Sequence, residues 1–354
     1  MNLRQQVGQL IIAGIEGPQL TALERAWLRL IQPGGVILFR RNIEGAAQVV
    51  NLLRESADIT PVAQFRCIDL EGGLVDRLRD LIAPMPSAAA VFATGRSTNY
   101  VKHGRLIGKE ARALGFNITF APVLDLALPA SEAVMRTRVV ADDPQDVIAY
   151  ADGFLDGLAQ EHVLGCGKHF PGLGGGTLDS HHAMPVIDRS WNELWDNDLA
   201  VFHSLARKLP MIMVAHAAYS LVKDKKPASI SPYWISDVLR KKIGFKGLIL
   251  SDDMEMGGIL TQTSIEEAAV QTIAAGTDIV EICRDPSLVL RAYESLLAEA
   301  ERSAAFRRRI ETSCRRVLSC KRRNLTSPLP KIPSDAAISR LRLAVEKFAK
   351  DVAA

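Results

Sequence analysis

Apolar residues along this chain gather in short runs, each closed by glycine, proline or polar residues. The runs are LIIAGI (10–15), GVILF (35–39), VAQFRCIDL (62–70), ITFAPVLDL (118–126), VLGCGKHF (163–170), MIMVAHA (211–217), GLILSDD (247–253) and TDIVEIC (277–283). They are uniformly apolar rather than alternating, the pattern of strands buried on both faces of a parallel sheet. Segments with helical periodicity lie between them, for example 44–56, 99–114, 144–160, 190–207, 231–242 and 264–275. Asp143-Pro144, Ser190 and Ser231-Pro232 supply helix starts. Eight strand–helix alternations predict a (β/α)8 TIM barrel. An open doubly wound sheet is the rival, but GIEGPQL after the first run does not fit its glycine-rich turn. We expect a single barrel domain over 1–324. LTSPLPKIP (325–333) reads as a linker, and 334–350 as an amphipathic helix, so that 325–354 forms a C-terminal helical tail for packing or oligomer contacts.

With 48% hydrophobic residues in 354, a large core is available. The net charge of +3 is too small to suggest a nucleic-acid partner, which would need clustered Lys and Arg. The locally basic stretch Arg307-Arg308-Arg309, Arg315, Arg316 and Lys321-Arg322-Arg323 reads as the solvated face of a late helix. No apolar stretch approaches the length of a membrane span, so none is expected. The five cysteines have no zinc or disulfide spacing; Cys67, Cys166 and Cys283 sit in apolar runs as small core residues. That usage favours a reducing compartment. MNLRQQVGQLIIAG lacks a secretory apolar region of adequate length, so a cytoplasmic location is expected.

In a barrel, catalysis belongs where strands end at the C-terminal face. Five runs turn ionisable there: Asp69 with Glu71-Gly72-Gly73, Asp125, Lys168-His169, His216, and Ser251-Asp252-Asp253. Any one of them reads equally as a satisfied polar strand end; together they converge on one rim. Side chains alternate along a strand, so only one of Asp252 and Asp253 is expected to face the axis. The other is expected to cap a helix or bind backbone N–H groups.

KHFPGLGGGTLDSHHAMP (168–185) supplies a possible proton-transfer partner. Asp179 lies two residues from His181 and could orient its imidazole and raise its pKa. The competing reading is a turn with two surface histidines. Gly174, Gly175 and Gly176 give a loop that could close over a substrate. A phosphate cradle is disfavoured, since no Lys-Ser/Thr and helix follow. A metal centre from His169, His181, His182, Asp179 and His216 is disfavoured too, because no helix carries two spaced histidines and Lys168 would adjoin the cation. Neither metal nor organic cofactor is expected.

IDLEGGLVDRL (68–78), FAPVLDL (120–126), KHFPGLGGGTLDSH (168–181), PASIS (227–231) and GFKGLILSDDMEM (244–256) resemble family 3 glycoside hydrolases. The resemblance runs in order from about residue 6 to about residue 320, and points to single-domain bacterial β-N-acetylglucosaminidases (β-N-acetylhexosaminidases) of the peptidoglycan-recycling type. It implies Asp252 as nucleophile, His181 as general acid/base and Asp179 as its partner. It implies that Asp69, Arg77, Arg138 and Lys168-His169 hold the sugar, Arg138 through RTRVVADDP. Four departures stand out: Leu70 for Gln, Leu74 for Arg, Val139-Val140 for Ser-Phe, and Leu173 for His. They are expected to make the rim more apolar.

The implied reaction is retaining hydrolysis of a terminal β-linked N-acetylglucosamine from a glycan such as a peptidoglycan fragment. β-Glucosidase specificity, phosphorolysis, substrate-assisted hydrolysis and a non-catalytic sugar-binding barrel are the alternatives. The glucosidase relatives usually carry a second α/β domain, for which this chain is short.

Overall fold

The computed structural model describes residues 1–178, 184–326 and 328–354. Eight parallel strands close into a barrel. They are β1 (Ile11–Gly14), β2 (Gly35–Leu38), β3 (Phe65–Ile68), β4 (Ile118–Thr119), β5 (Leu164–Phe170), β6 (Met211–Val214), β7 (Leu248–Asp253) and β8 (Ile279–Ile282). Each pairs with its neighbour in sequence, and β8 closes the ring against β1, with Ile12 opposite Glu281. The expected (β/α)8 barrel is therefore the fold, strand for strand.

Two packed layers explain why the runs carry no polar alternation. Ile12, Ile37, Cys67, Cys166, Met213, Leu250 and Ile279 fill the inside of the barrel. Ile11, Val36, Ile68, Ile212, Ile249 and Val280 face the helices. Both faces of each strand lose water, so both must be apolar. All five cysteines are free and buried.

Some runs outlast their strands. The run 118–126 contributes only Ile118–Thr119 to the ladder. Pro122 has no N–H to donate, although Ala121 and Pro122 still accept from Cys166 and Lys168. The run 62–70 ends its barrel strand at Ile68 and turns into a small antiparallel ribbon, Leu70–Gly72 against Val75–Asp76.

The helix starts behave as read. Asp143 accepts from the Gln145 N–H, Ser190 from the Glu193 N–H, and Ser231 from the Trp234 N–H. The tail forms the helix Asp335–Ala353, whose Val345 and Phe348 are fully buried. Arg342 donates to the carbonyls of Leu81 and Ile82, and Lys102 pairs with Asp351 at 3.0 Å. No described helix is long and apolar enough to cross a membrane.

The basic stretch corrects one expectation. It lies on the helix Ala304–Asn324, but Arg309 and Lys321 turn inward and the half-exposed Arg316 reaches a buried acid. Arg309 and Arg316 reach Asp278 at 3.0 and 3.1 Å, joined there by Arg240. Lys321 is buried, with its ammonium 2.7 Å from Gln9 Oε1. Asp278 is itself fully buried and also accepts from the Ile249 N–H and the Ser313 hydroxyl. Arg307, Arg308, Arg315, Arg322 and Arg323 are exposed as expected. Asp278 opens β8 at the end of the barrel opposite the strand C-termini, where polar clusters serve stability.

Asp278→Ala should therefore unfold more easily by about 3–5 kcal/mol, since it leaves the largely buried Arg240 and Arg309 and a backbone donor without their acceptor. Chemical denaturation measures the loss. Activity per folded molecule should be unchanged; a variant as stable as the parent would show that the cluster does not hold this end of the barrel together.

Candidate active site

The ribbon after β3 exists to aim Glu71. Its turn is Gly72-Gly73, with φ +86° and +60°, a region side-chain-bearing residues avoid. A Cβ on Gly72 would lie 2.2 Å from the Pro86 carbonyl oxygen. The hydroxyl of Thr119, at the end of β4, bonds both the N–H and the carbonyl of Leu70, fixing the ribbon to the barrel.

Asp69 and Glu71 then meet a buried lysine. Lys168 Nζ lies 2.9 Å from Asp69 Oδ1 and 2.7 Å from Glu71 Oε1. Arg138 grips Glu71 with two parallel bonds, 2.8 and 2.9 Å long. Arg77 approaches Asp69 at 3.4 Å. Burial alone would favour the neutral acids, but Arg138 and Lys168 outweigh it and hold Glu71 down at about 2. Burial is likewise outweighed at Asp69, where Lys168 and Arg77 keep the carboxyl well below its usual range. Burial opposes a charged Lys168, yet its two carboxylates raise its pKa further. The charged forms of Asp69, Glu71, Lys168 and Arg138 thus favour one another.

Two strand-end residues support their neighbours. Asp125 is buried and accepts from His169 Nδ1 at 2.7 Å and from the Leu173 N–H at 2.7 Å. It thereby orients the imidazole and starts the glycine-rich loop. Tyr219 donates to the Gly172 carbonyl, and Gly172, at φ +130°, leaves no room for a Cβ above Asp198. His216 is fully buried between the Ser229 hydroxyl (2.7 Å) and the Asp253 carbonyl (3.1 Å). It braces the end of β7.

The acidic pair divides its work. Asp253 Oδ1 accepts from the backbone N–H groups of Glu255 and Cys283, at 3.0 and 3.2 Å. Burial and the neighbouring acids push its pKa up to about 7. The Asp253 N–H in turn donates to Asp252 Oδ1 at 2.9 Å. Both side chains nevertheless border the same cavity, because β7 shifts register against β8 beyond Leu250.

That cavity, about 140 Å³, lies at the C-terminal face. It brings together Asp69, Arg77, Arg138, Lys168, His169 and Asp252 of the sequence-derived set. Asp179 and His181 lie outside the described residues. Of the four departures, Leu173 alone lines the cavity. Leu70 is buried in the main core, Leu74 is exposed beside the cavity-lining Val75, and Val139 packs with Val123 and Met135.

Two acids escaped the sequence reading. Glu71 stood beside Asp69 in the sequence but received no role. Glu281 lies inside the apolar run TDIVEIC, where a single acid is the signal. Among the described residues no cluster of His, Cys, Asp and Glu could hold a metal ion.

The cavity's mixture of fixed cations and carboxylates suits a polyhydroxylated ligand, and comparison with known proteins agrees. The profile of the glycosyl hydrolase family 3 N-terminal domain matches residues 2–320. A β-hexosaminidase of Pseudomonas aeruginosa is 37% identical over 290 residues, 81% of this chain and 86% of that protein. One from Idiomarina loihiensis is 32% identical over 305 residues, covering 85% of this chain and 91% of its own length. A family 3 β-N-acetylglucosaminidase from Paenibacillus sp. superposes with a TM-score of 0.93 at 30% identity, over 99% of this chain and 69% of that one. Native NagZ from Neisseria gonorrhoeae superposes at 0.78 with 30% identity, over 97% of each chain. The chain belongs to glycosyl hydrolase family 3.

Proposed function

We propose that this chain is a retaining β-N-acetylhexosaminidase, releasing terminal β-linked N-acetylglucosamine from glycans such as peptidoglycan fragments. The observation that carries the reading is the meeting of Asp252 with the Asp69–Lys168 pair on one cavity. The names of the related hexosaminidases and of the Paenibacillus acetylglucosaminidase support the choice of sugar.

In this reading Asp69 accepts from sugar hydroxyls, while Lys168, Arg77, Arg138 and His169 donate to sugar oxygens. Asp252 attacks the anomeric carbon as the bond to the leaving oxygen breaks. His181, oriented by Asp179, gives its proton to that oxygen. It then takes a proton from the water that attacks the anomeric carbon and frees the Asp252 carboxylate. Histidine suits both steps because its pKa lies near the working pH. The N–H of Asp253 holds Asp252 in line for attack.

Chromogenic N-acetylglucosaminide and glucoside, assayed with and without phosphate, test the class: we expect the first to be cleaved faster, with no need for phosphate. Preference for the glucoside would overturn the substrate, and a phosphate requirement would replace water as acceptor. Asp252→Ala should lose turnover by on the order of 10⁴-fold or more. Mass spectrometry after trapping with a fluorinated sugar should find the label on Asp252; a label on Asp253, or none, rejects the nucleophile.

Arg138→Ala and Lys168→Ala should each raise KM and lower kcat, since contacts to the sugar tighten as its ring flattens. They should also destabilise the fold by about 3–5 kcal/mol, because Glu71 is left buried with less compensation. Wild-type kinetics in either variant would make that residue purely structural.

His181→Ala should slow substrates with poor leaving groups by about 10²–10⁴-fold while sparing nitrophenyl glycosides, whose departure needs little protonation. Asp179→Asn should act in the same direction more weakly. Equal losses on both substrate types would remove His181 from the acid/base role.

A further inference from the structure

Glu281 is an acid in a place that packing reserves for apolar side chains. On β8 its inward neighbours are Ile279 below and Cys283 above, and Ile12 lies opposite on β1. It is only 3% exposed, yet it borders the cavity shared by Asp69 and Asp252. Its Oε1 accepts from the Cys283 thiol at 3.1 Å. Its Oε2 has no partner among the described residues. A buried polar atom without a partner costs free energy that an apolar residue here would not.

The charge around it decides which form the acid takes. The charged groups that act on it are Asp69, Asp253 and Asp252; of the cations around the cavity, Lys168 is engaged by Asp69 and Glu71, and Arg41 by the Cys283 carbonyl. Burial first, then Asp69 and Asp253, drive its pKa well above the usual carboxyl range. Glu281 therefore keeps its proton, and its free oxygen can donate. Asp69 and Glu281 line the same cavity. Asp69 is charged and can only accept, so the two acids offer one donor and one acceptor at the same wall. A sugar hydroxyl matches that pair, giving its proton to Asp69 and accepting one from Glu281.

We propose that Glu281 is a substrate-contacting, specificity-determining residue whose carboxyl group, turned into the cavity, donates a hydrogen bond to a ring or hydroxymethyl hydroxyl of the bound sugar. This rests on the glycosidase reading above. The substrate class narrows to sugars that carry a hydroxyl oxygen at the cavity floor.

The test compares nitrophenyl N-acetyl-β-glucosaminide with its 3-, 4- and 6-deoxy analogues in the parent, Glu281→Leu and Glu281→Gln. In the parent, removal of the matched hydroxyl should lower kcat/KM by about 10- to 100-fold. Glu281→Leu should lose activity on the intact sugar and should no longer distinguish it from that one analogue. Glu281→Gln retains an N–H donor and should still discriminate. Glu281→Met provides the same comparison if the branched side chain fails to pack. A parent active on the intact sugar, with analogue profiles parallel in the parent, Leu and Met variants, overturns the role of Glu281 and leaves the glycosidase reading standing. A parent inert on every N-acetylglucosaminide overturns both.

Discussion

A lysine held away from water between two carboxylates organises this molecule. Lys168 is 4% exposed at its side chain, and it helps to hold both Asp69 and Glu71 in their charged forms, together with Arg77 at the first and Arg138 at the second. The desolvation penalty for such a group is met only when every partner sits within bonding distance. The requirement reaches outward through Arg138 on Glu71, the Gly72-Gly73 turn that aims Glu71, and the Thr119 hydroxyl that pins the ribbon. The binding surface is rigid because its charges cannot be moved singly.

The same chain separates its polar investments by position. At one end of the barrel Asp278 gathers three arginines and no cavity residue takes part. At the other, the charges face the cavity and remain available to a ligand. Asp125, Asp253 and His216 stand between these roles: each fixes a loop or a side chain at the site through hydrogen bonds. A strand-end ionisable group thus has two fates here, contact with the cavity or support for a neighbour that has it.

The barrel was legible because burial on both faces makes the body of all eight strands mainly apolar, and eight such runs alternate with helical segments. Asp69, Lys168 and Asp252 were legible for the related reason that a charge at the end of an apolar run must face somewhere polar. The bounds of β4 were not, since the run 118–126 stays buried after its ladder ends, and hydrophobicity records burial rather than pairing. Arg309 and Arg316 misled because helical periodicity cannot reveal that a buried aspartate lies across the interface. Glu281 was hidden by averaging: one acid among apolar neighbours leaves a run apolar, although its solitude was the informative feature.

Closure of β1 on β8 has a consequence for the chain as it leaves the ribosome. Ile11 pairs with Val280, so the outer edge of β1 has no native partner until β8 is synthesised. At bacterial or eukaryotic translation speeds of about 5–20 residues per second, that interval is on the order of tens of seconds. An unpaired apolar edge is a template for pairing with other chains. Asp69, separated from Lys168 by 99 positions, must also wait in water until its partner has been made and the two can be enclosed together. Productive synthesis therefore depends on keeping a half-built barrel apart from its neighbours, a demand that the finished molecule no longer displays.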